Sequence, residues 1–182
     1  MAAPPRRLEF DYAHAVFLQR GLLLVGVWIV ATVLLASLAQ VDVVWVVVVS
    51  GLVGGYALVF GLSPLLTRHW LTRSRIILRQ GWYFRQVLPL REVRSVAAYD
   101  GEAKVGLRGD LARRTLFVTG SKVGLVAAEL DRPRRFWQVM FATSDRIVFD
   151  VTSRDRFLEA IAARRASFPP IEPDRADADF RD

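Results

Sequence analysis

Residues 21–67 read GLLLVGVWIVATVLLASLAQVDVVWVVVVSGLVGGYALVFGLSPLLT, and Asp42 is the only charged residue in this stretch. A helix needs about 20 apolar residues to cross roughly 30 Å of hydrocarbon. One helix of this length would be about twice too long, and backbone amides cannot stay unpaired in lipid. The stretch therefore predicts a hairpin of two transmembrane helices, residues 21–39 and 43–66, with its turn around Asp42.

Basic residues flank the two predicted spans on one side only. Arg6, Arg7 and Arg20 precede the first span, and no Lys or Arg lies in the turn. Four arginines follow the second span closely: Arg68, Arg73, Arg75 and Arg79. Because positive charge collects on the cytoplasmic side of membrane proteins, we expect both termini in the cytoplasm. Residues 1–20 then form a cytoplasmic N-terminal segment of a protein integral to the inner membrane.

A signal peptide is the alternative interpretation of the first span. Ser37 and Ala39 are small residues at the spacing that cleavage before Gln40 would require. The apolar region is longer than in an ordinary signal peptide. Even with cleavage the second span would remain, and its basic C-terminal flank would still favour a cytoplasmic domain.

Small residues recur along the second span. Spacings of four, three and four place one row of them on a single helical face: Ser50, Gly54, Ala57 and Gly61. Gly51 and Gly55 add a GxxxG pair on a neighbouring face. Small residues let two helices approach closely, so we expect a helix-packing surface. Its partner is either the first span, which offers Thr32, Ala36 and Ala39, or another subunit or protein.

The rest of the chain has the size of one soluble domain. Of the 182 residues, 53% are hydrophobic and 24% are charged, so the two classes must be segregated along the chain. About 100 residues after the second span suffice for one small core and are too few for two. The chain has no cysteine, which excludes disulfides, thiolate metal sites and a thiol nucleophile.

Alternating apolar and polar residues follow the second span, which is typical of half-buried strands. Residues 70–79 and 82–88 predict two strands joined by a tight turn at Gln80-Gly81. Five further runs have the character of short strands: residues 92–99, 115–119, 123–130, 135–142 and 146–151. We interpret residues 102–114 as a loop, in which residues 105–108 have the pattern of an edge strand.

A C-terminal helix is expected after the last strand. Thr152 is the predicted N-cap. Phe157, Leu158 and Ile161 form its apolar stripe, and Arg164 is expected to face water. Residues 167–182 contain three prolines and five acidic residues, and they predict a disordered acidic tail.

One stretch resembles a known family. WLTRSRIILRQGWYFRQVLPLREVRSV, residues 70–96, follows the predicted hairpin, and VTSRDRFLEAI, residues 151–161, comes near the end. Together they resemble bacterial membrane proteins that carry pleckstrin-homology-like (PH-like) domains. The resemblance spans about residues 21–165. It implies an α+β or all-β fold for residues 67–166, with about seven short antiparallel strands in a bent sandwich capped by a C-terminal helix. It also implies a role in binding.

Catalytic motifs are not visible in the sequence. His14 and His69 flank the predicted hairpin, outside any metal-binding or triad-like spacing. We interpret both as interfacial polar residues. The Gly106–Gly109 segment lacks the lysine of a phosphate-binding loop, and the acidic residues are scattered. The expectation is therefore a protein that is not an enzyme and holds no cofactor or metal.

The positive charge of the soluble domain says more about its function than any catalytic motif does. Residues 67–166 contain 20 Lys or Arg against 10 Asp or Glu, a net charge of +10. Anionic lipids of the cytoplasmic leaflet attract each nearby Lys or Arg by about 1 kcal/mol. Five arginines are therefore candidates for contact with lipid headgroups: Arg68, Arg73, Arg75, Arg79 and Arg85. Arg73, Arg75 and Arg79 are predicted to share one strand face. The alternative is a solvated flank that merely fixes topology.

These observations predict a non-catalytic, membrane-anchored adaptor or scaffold whose cytoplasmic PH-like domain binds a protein partner. A membrane sensor that binds anionic lipid headgroups is the alternative, and a small membrane enzyme is the third class. Membrane lipids and a protein are the expected partners. Nucleic acid is not expected, because no recognised binding motif accompanies the basic charge.

Overall fold

The computed structural model describes residues 7–38, 41–139 and 142–167. Both predicted apolar helices are present. Helix α1 is Ala15–Ser37, and helix α2 is Val43–Tyr56, continued by a π-helical turn, Ala57–Leu62, and a 3-10 turn, Ser63–Leu66. The spans Ala15–Ser37 and Val43–Leu66 are long and apolar enough to cross a membrane, and only 6% of the apolar window of each is buried. The core helix of a soluble protein would be mostly buried.

Helix α1 begins six residues before the predicted span, because its first turns pack on the soluble domain. Phe17 and Gly21 are its buried residues. At the start of α2, the Asp42 carboxylate accepts the Val44 backbone N–H at 3.0 Å and caps the helix. The predicted end of the first span, Ala39, lies outside the described residues.

The described part of the soluble domain contains about nine strands in two sheets, where about seven were expected. The first sheet has the order β1-β2-β3-β4, which are Arg7–Phe10, His69–Thr72, Arg75–Gln80 and Phe84–Pro89. The second has the order β5-β8-β9-β7-β6. Its strands in chain order are Val93–Ala98, Gly106–Asp110, Thr115–Thr119, Leu125–Phe136 and Ala142–Asp150. Strands β7 and β9 are parallel, which corrects the all-antiparallel expectation.

The observed strands differ from the predicted ones in several places. The predicted strand over residues 70–79 breaks into β2 and β3, because Thr72 Oγ1 accepts the Arg75 N–H and donates to the Arg75 carbonyl, both at 3.1 Å. Residues 7–10, expected to belong to a simple N-terminal segment, pair with β2. The run 123–130 is the first part of a longer strand, β8, whose register is irregular between Glu129 and Arg134. Of the run 135–142, only Arg135 and Phe136 belong to β8; Trp137–Val139 is a 3-10 turn, and Ala142 begins β9.

Helix α3, Arg154–Ala166, packs on the hydrophobic core. Phe157 meets the rings of Phe10 and Phe149 edge-on at 4.8 and 5.5 Å between centroids. The expectation that Arg164 faces water is wrong: it is 9% exposed, and its guanidinium donates to the Leu71 carbonyl at 2.9 Å. The N-cap position is taken by Ser153 rather than Thr152.

Candidate functional site

A short segment, residues 11–14, leads from β1 into α1 across the second sheet, and we call it the strap. Thr152 donates its backbone N–H to the Asp11 carbonyl at 2.8 Å. The Ala13 N–H donates to Asp150 Oδ2 at 3.0 Å. Gly120 lies so close to the strap that a Cβ atom there would overlap the Ala13 carbonyl oxygen. The strap is thus fixed to the end of β9 and to the residue that follows β7.

Tyr12 connects the strap to the hairpin formed by α1 and α2. This residue is 2% exposed, and its hydroxyl donates to the Pro64 carbonyl and lies 2.8 Å from Thr67 Oγ1. Thr67 Oγ1 in turn accepts the N–H of Gly81, whose φ of +63° suits the turn between β3 and β4. Burial raises the pKa of the Tyr12 hydroxyl above its usual value, so this group remains a hydrogen-bond donor.

His69 packs behind Tyr12, so the expectation of an interfacial polar residue is wrong for this histidine. It is 1% exposed and stacks on Tyr12 with 4.8 Å between ring centroids. Its Nδ1 accepts the Arg79 backbone N–H at 3.3 Å. Burial, with a smaller effect of nearby His14, lowers the pKa of His69 to about 3. His69 is therefore a neutral packing residue at pH 7.

Asp150 anchors the other side of the strap. Its carboxylate is buried and accepts the Gly120 N–H at 2.7 Å as well as the Ala13 N–H. Burial raises the pKa of this carboxyl, and the two backbone hydrogen bonds oppose that shift. Ser63, at the end of the hairpin, is also buried, and its Oγ accepts the Trp82 N–H at 3.0 Å. Five side chains thus join the strap, the hairpin and the two sheets, and we call them the junction: Tyr12, Ser63, Thr67, His69 and Asp150.

The structure places the predicted row of small residues against α1. Trp28 Nε1 donates to the Ser50 carbonyl at 2.8 Å and lies 3.0 Å from Ser50 Oγ. A Cβ atom on Gly54 would meet the Trp28 ring at 3.0 Å, and one on Gly61 would lie 3.0 Å from Gly21 Cα. Ala57 is 2% exposed. The row therefore serves contact within the hairpin.

The other small residues differ in the contacts that they make between the two helices. Thr32 Oγ1 hydrogen-bonds with Ser50 Oγ at 2.9 Å, whereas Ala36 is exposed. Ala39 lies outside the described residues. Gly51 and Gly55 have nothing within 4 Å of a built Cβ atom. The GxxxG pair therefore makes no close contact with α1, although it lines a cavity with Val25 and Trp28 of that helix.

The predicted basic residues separate into three places. Arg75, Arg79 and Arg85 lie on the outer face of the first sheet, where Arg79 and Arg85 are register partners. Arg73 lies in the turn between β2 and β3, so its expected place on the strand face is wrong. Arg68 precedes β2 and forms ion pairs with Glu9 at 3.3 Å and Asp11 at 2.8 Å, which offset its charge.

Two further residues complete this surface. The guanidinium carbons of Arg7 and Arg79 lie 3.3 and 4.7 Å from the Trp70 ring centroid, in cation–π contact. These side chains line a cavity of about 540 Å³ together with Leu66, which is 73% exposed at the end of the second span. We call the set Arg7, Trp70, Arg75, Arg79 and Arg85 the basic face. Sequence reasoning missed Arg7 and Trp70 because the pairing of β1 with β2 was not foreseen.

The described ranges contain no candidate metal-binding site, because no group of three or more His, Asp or Glu residues in them could hold a metal ion. The buried polar side chains of the junction bind backbone groups instead. No protein-family model matches the chain, and neither a curated protein nor a solved structure matches it, so the resemblance to bacterial PH-like membrane proteins stays a prediction.

Proposed function

We propose that this protein is a non-catalytic, membrane-anchored adaptor or scaffold whose PH-like domain binds an acidic protein partner through the basic face. The junction is the observation that carries the proposal. A domain on a loose linker would sample many orientations, whereas buried hydrogen bonds from Tyr12 and Thr67 join this domain to the end of its anchor. The basic face is therefore held in one orientation relative to the hairpin and the membrane.

The chemistry of the basic face favours a partner with exposed carboxylates. Arg75 and Arg85 are exposed, and a guanidinium can hold a carboxylate through two parallel hydrogen bonds. Ile77 and Val87 are register partners on the same face and are only partly buried. Arginine and tryptophan are enriched among residues that dominate binding energy at interfaces. The face thus combines charge with apolar contact area.

The non-catalytic part of the proposal rests on how the buried polar groups are used. The Tyr12 hydroxyl and the Asp150 carboxylate both bind backbone groups of other segments. His69 is enclosed by Tyr12 and Phe149. Proton transfer to a substrate would need one of these groups within hydrogen-bond reach of it, and their positions serve packing instead.

The proposed location is the inner membrane, with both termini and the domain in the cytoplasm. The basic flanks Arg7, Arg20 and Arg68 lie at the domain end of the hairpin, and the opposite turn carries Asp42. Because the chain has no native cysteine, introduced cysteines report topology directly. Asp42→Cys is expected to react with a membrane-impermeant thiol reagent in intact cells, and Ser167→Cys is not. Labelling of Ser167→Cys but not of Asp42→Cys would refute the proposed orientation.

Site-specific photo-crosslinking in cells tests the binding proposal. A benzophenone amino acid at Val87, beside the arginines of the basic face, is expected to give one discrete protein adduct. The matched control carries the same group at Arg156, an exposed position on α3. Charge reversal of Arg75 and Arg85 to Glu should remove the adduct, since like charges repel an acidic partner. An adduct of equal yield from Arg156, or one indifferent to charge reversal, would refute the assignment.

The anionic-lipid sensor is the second candidate, and one observation favours it. Trp70 and Arg79 share a cavity with Leu65 and Leu66 at the end of the second span, so this part of the basic face borders the apolar helices. Tryptophan and arginine are suited to the headgroup region of a membrane. The same crosslinking experiment separates the two functions, because a lipid adduct at Val87 in place of a protein adduct would support the sensor.

A further inference from the structure

A second cavity, at the domain end of the hairpin, is lined by residues of neither the junction nor the basic face. Its volume is about 450 Å³, within the range of ordinary ligand sites. Its walls come from both helices of the hairpin and from the soluble domain, and they include Phe17, Arg20, Tyr56, Phe60, Tyr83 and Trp137. We call it the interfacial groove.

One wall of the groove is a continuous row of aromatic rings. Tyr56 and Phe60, one helical turn apart, have ring centroids 4.7 Å apart. Phe60 stacks on Tyr83 of the soluble domain at 4.9 Å. Trp137, which also lines the groove, is 69% exposed. Tyrosine and tryptophan are enriched at the boundary between hydrocarbon and water, so this wall has the chemistry of a headgroup boundary.

Arg20 brings a positive charge into the groove. None of the ion pairs among the described residues involves Arg20. Its guanidinium lies over the backbone of Gly106, where a built Cβ atom would be 3.6 Å from Nη1. The nearest acid of β6, Asp110, is paired with Lys104 at 2.8 Å. Among the described residues, no carboxylate forms an ion pair with Arg20. The positive charge in the groove is therefore complementary to an anion.

Gln138 adds a neutral polar group to the groove. Its side chain lines the groove, and its carboxamide oxygen is buried with no hydrogen-bond partner among the described residues. A buried acceptor without a partner costs about 1–3 kcal/mol. A hydroxyl or ammonium group of a ligand in the groove would supply the missing donor.

We infer that the interfacial groove binds one anionic glycerophospholipid, with its phosphate on Arg20, its polar headgroup at Gln138 and an acyl chain against the aromatic wall and Leu24. Leu24 lies one turn beyond Arg20 in α1 and also lines the groove. The neighbouring leucines Leu22 and Leu23 are each 64% exposed, so the groove lies where the apolar helix surface begins. In a membrane, the molecules beside that surface are phospholipids. The site is separate from the basic face and does not depend on the proposed partner.

Native mass spectrometry of the full chain in detergent tests this site. The protein is titrated with phosphatidylglycerol and, separately, with phosphatidylcholine. One saturable phosphatidylglycerol is expected, with phosphatidylcholine bound more weakly. Arg20→Gln should weaken phosphatidylglycerol binding at least about tenfold, the loss expected for one charge-assisted contact. Arg20→Lys keeps the charge and should retain most of the affinity.

Arg156→Gln is the matched control, because it removes the same charge from an exposed position on α3, outside the groove and the basic face, and should leave the affinity unchanged. Thermal unfolding of each variant verifies that it is folded. Equal affinity of wild type and Arg20→Gln would overturn the inference. So would equal binding of the two lipids, or an equal loss in Arg156→Gln, because each would mean that the groove does not select the anion.

Discussion

Gly120→Ala is expected to destabilise the soluble domain by about 3 kcal/mol, the upper part of the usual range for overpacking. The added methyl group would overlap the Ala13 carbonyl oxygen, and a backbone atom cannot move aside as a flexible side chain can. The strap must shift, and the hydrogen bonds from Ala13 and Gly120 to Asp150 are then lost or strained. Urea unfolding of the full chain in detergent measures the loss.

Gly55→Ala is the control for this prediction, since a Cβ atom there meets nothing within 4 Å. It should leave the urea midpoint of the domain unchanged. Hydrogen exchange adds a local readout, because the amides of residues 11–14 should lose protection in Gly120→Ala. A variant as stable and as protected as the wild type would show that the strap is not fixed by these contacts.

Acidification is expected to destabilise the protein through His69. Its pKa is about 3 in the folded chain and about 6.5 when unfolded. Between these values the unfolded chain binds a proton that the folded chain does not, so the free energy of unfolding falls as the pH falls from about 6.5 toward 3. The expected slope is about 1.4 kcal/mol per pH unit, which gives roughly 2 kcal/mol at pH 5.

His69→Gln isolates this effect. Glutamine cannot titrate, and its amide oxygen can still accept the Arg79 N–H that His69 Nδ1 accepts. Urea midpoints of both proteins are measured at pH 7 and pH 5, and the loss of stability between the two pH values is compared. Titratable groups present in both proteins, such as Asp150, contribute equally to both losses and cancel in the difference. The variant should lose about 2 kcal/mol less than the wild type over this interval. Parallel losses would mean that His69 takes up its proton in the folded state.

The hairpin could be predicted from sequence because long apolar runs have few alternatives. Between residues 21 and 67 a single charge, Asp42, divides two stretches of span length, and the helices lie where hydrophobicity puts them. The C-terminal helix followed from its apolar stripe, in which Phe157 and Ile161 are buried as expected. These elements depend on local composition, which a sequence displays directly.

The junction could not be predicted, because it depends on contacts between residues distant in sequence. Tyr12 meets Thr67, and Ala13 meets Asp150, across separations that no local pattern reports. Strand β1 has only four residues, and its alternation becomes meaningful only beside β2. The error over Arg73 has a similar origin, since the alternation of residues 70–79 continues unbroken through a turn that Thr72 closes.

The candidate surfaces were therefore foreseen only in part. Arg75, Arg79 and Arg85 share a face, but Trp70 joins them through its contacts with Arg7 and Arg79. From the sequence alone, Arg20 is only one of the basic residues flanking the first span. Its position in a groove depends on how α1 lies against Gly106 and Tyr83, which are distant from Arg20 in the sequence.

If the soluble domain is held rigidly on the hairpin, the distance between the domain and the far end of the hairpin has one value. Val43→Cys, at the far end of the hairpin, and Lys122→Cys, after β7, introduce the only two thiols in the chain. Both are spin-labelled, and the full protein is placed in lipid nanodiscs for pulsed dipolar spectroscopy. A rigid attachment gives one narrow distribution of distances between the two labels. A broad or multimodal distribution would contradict it.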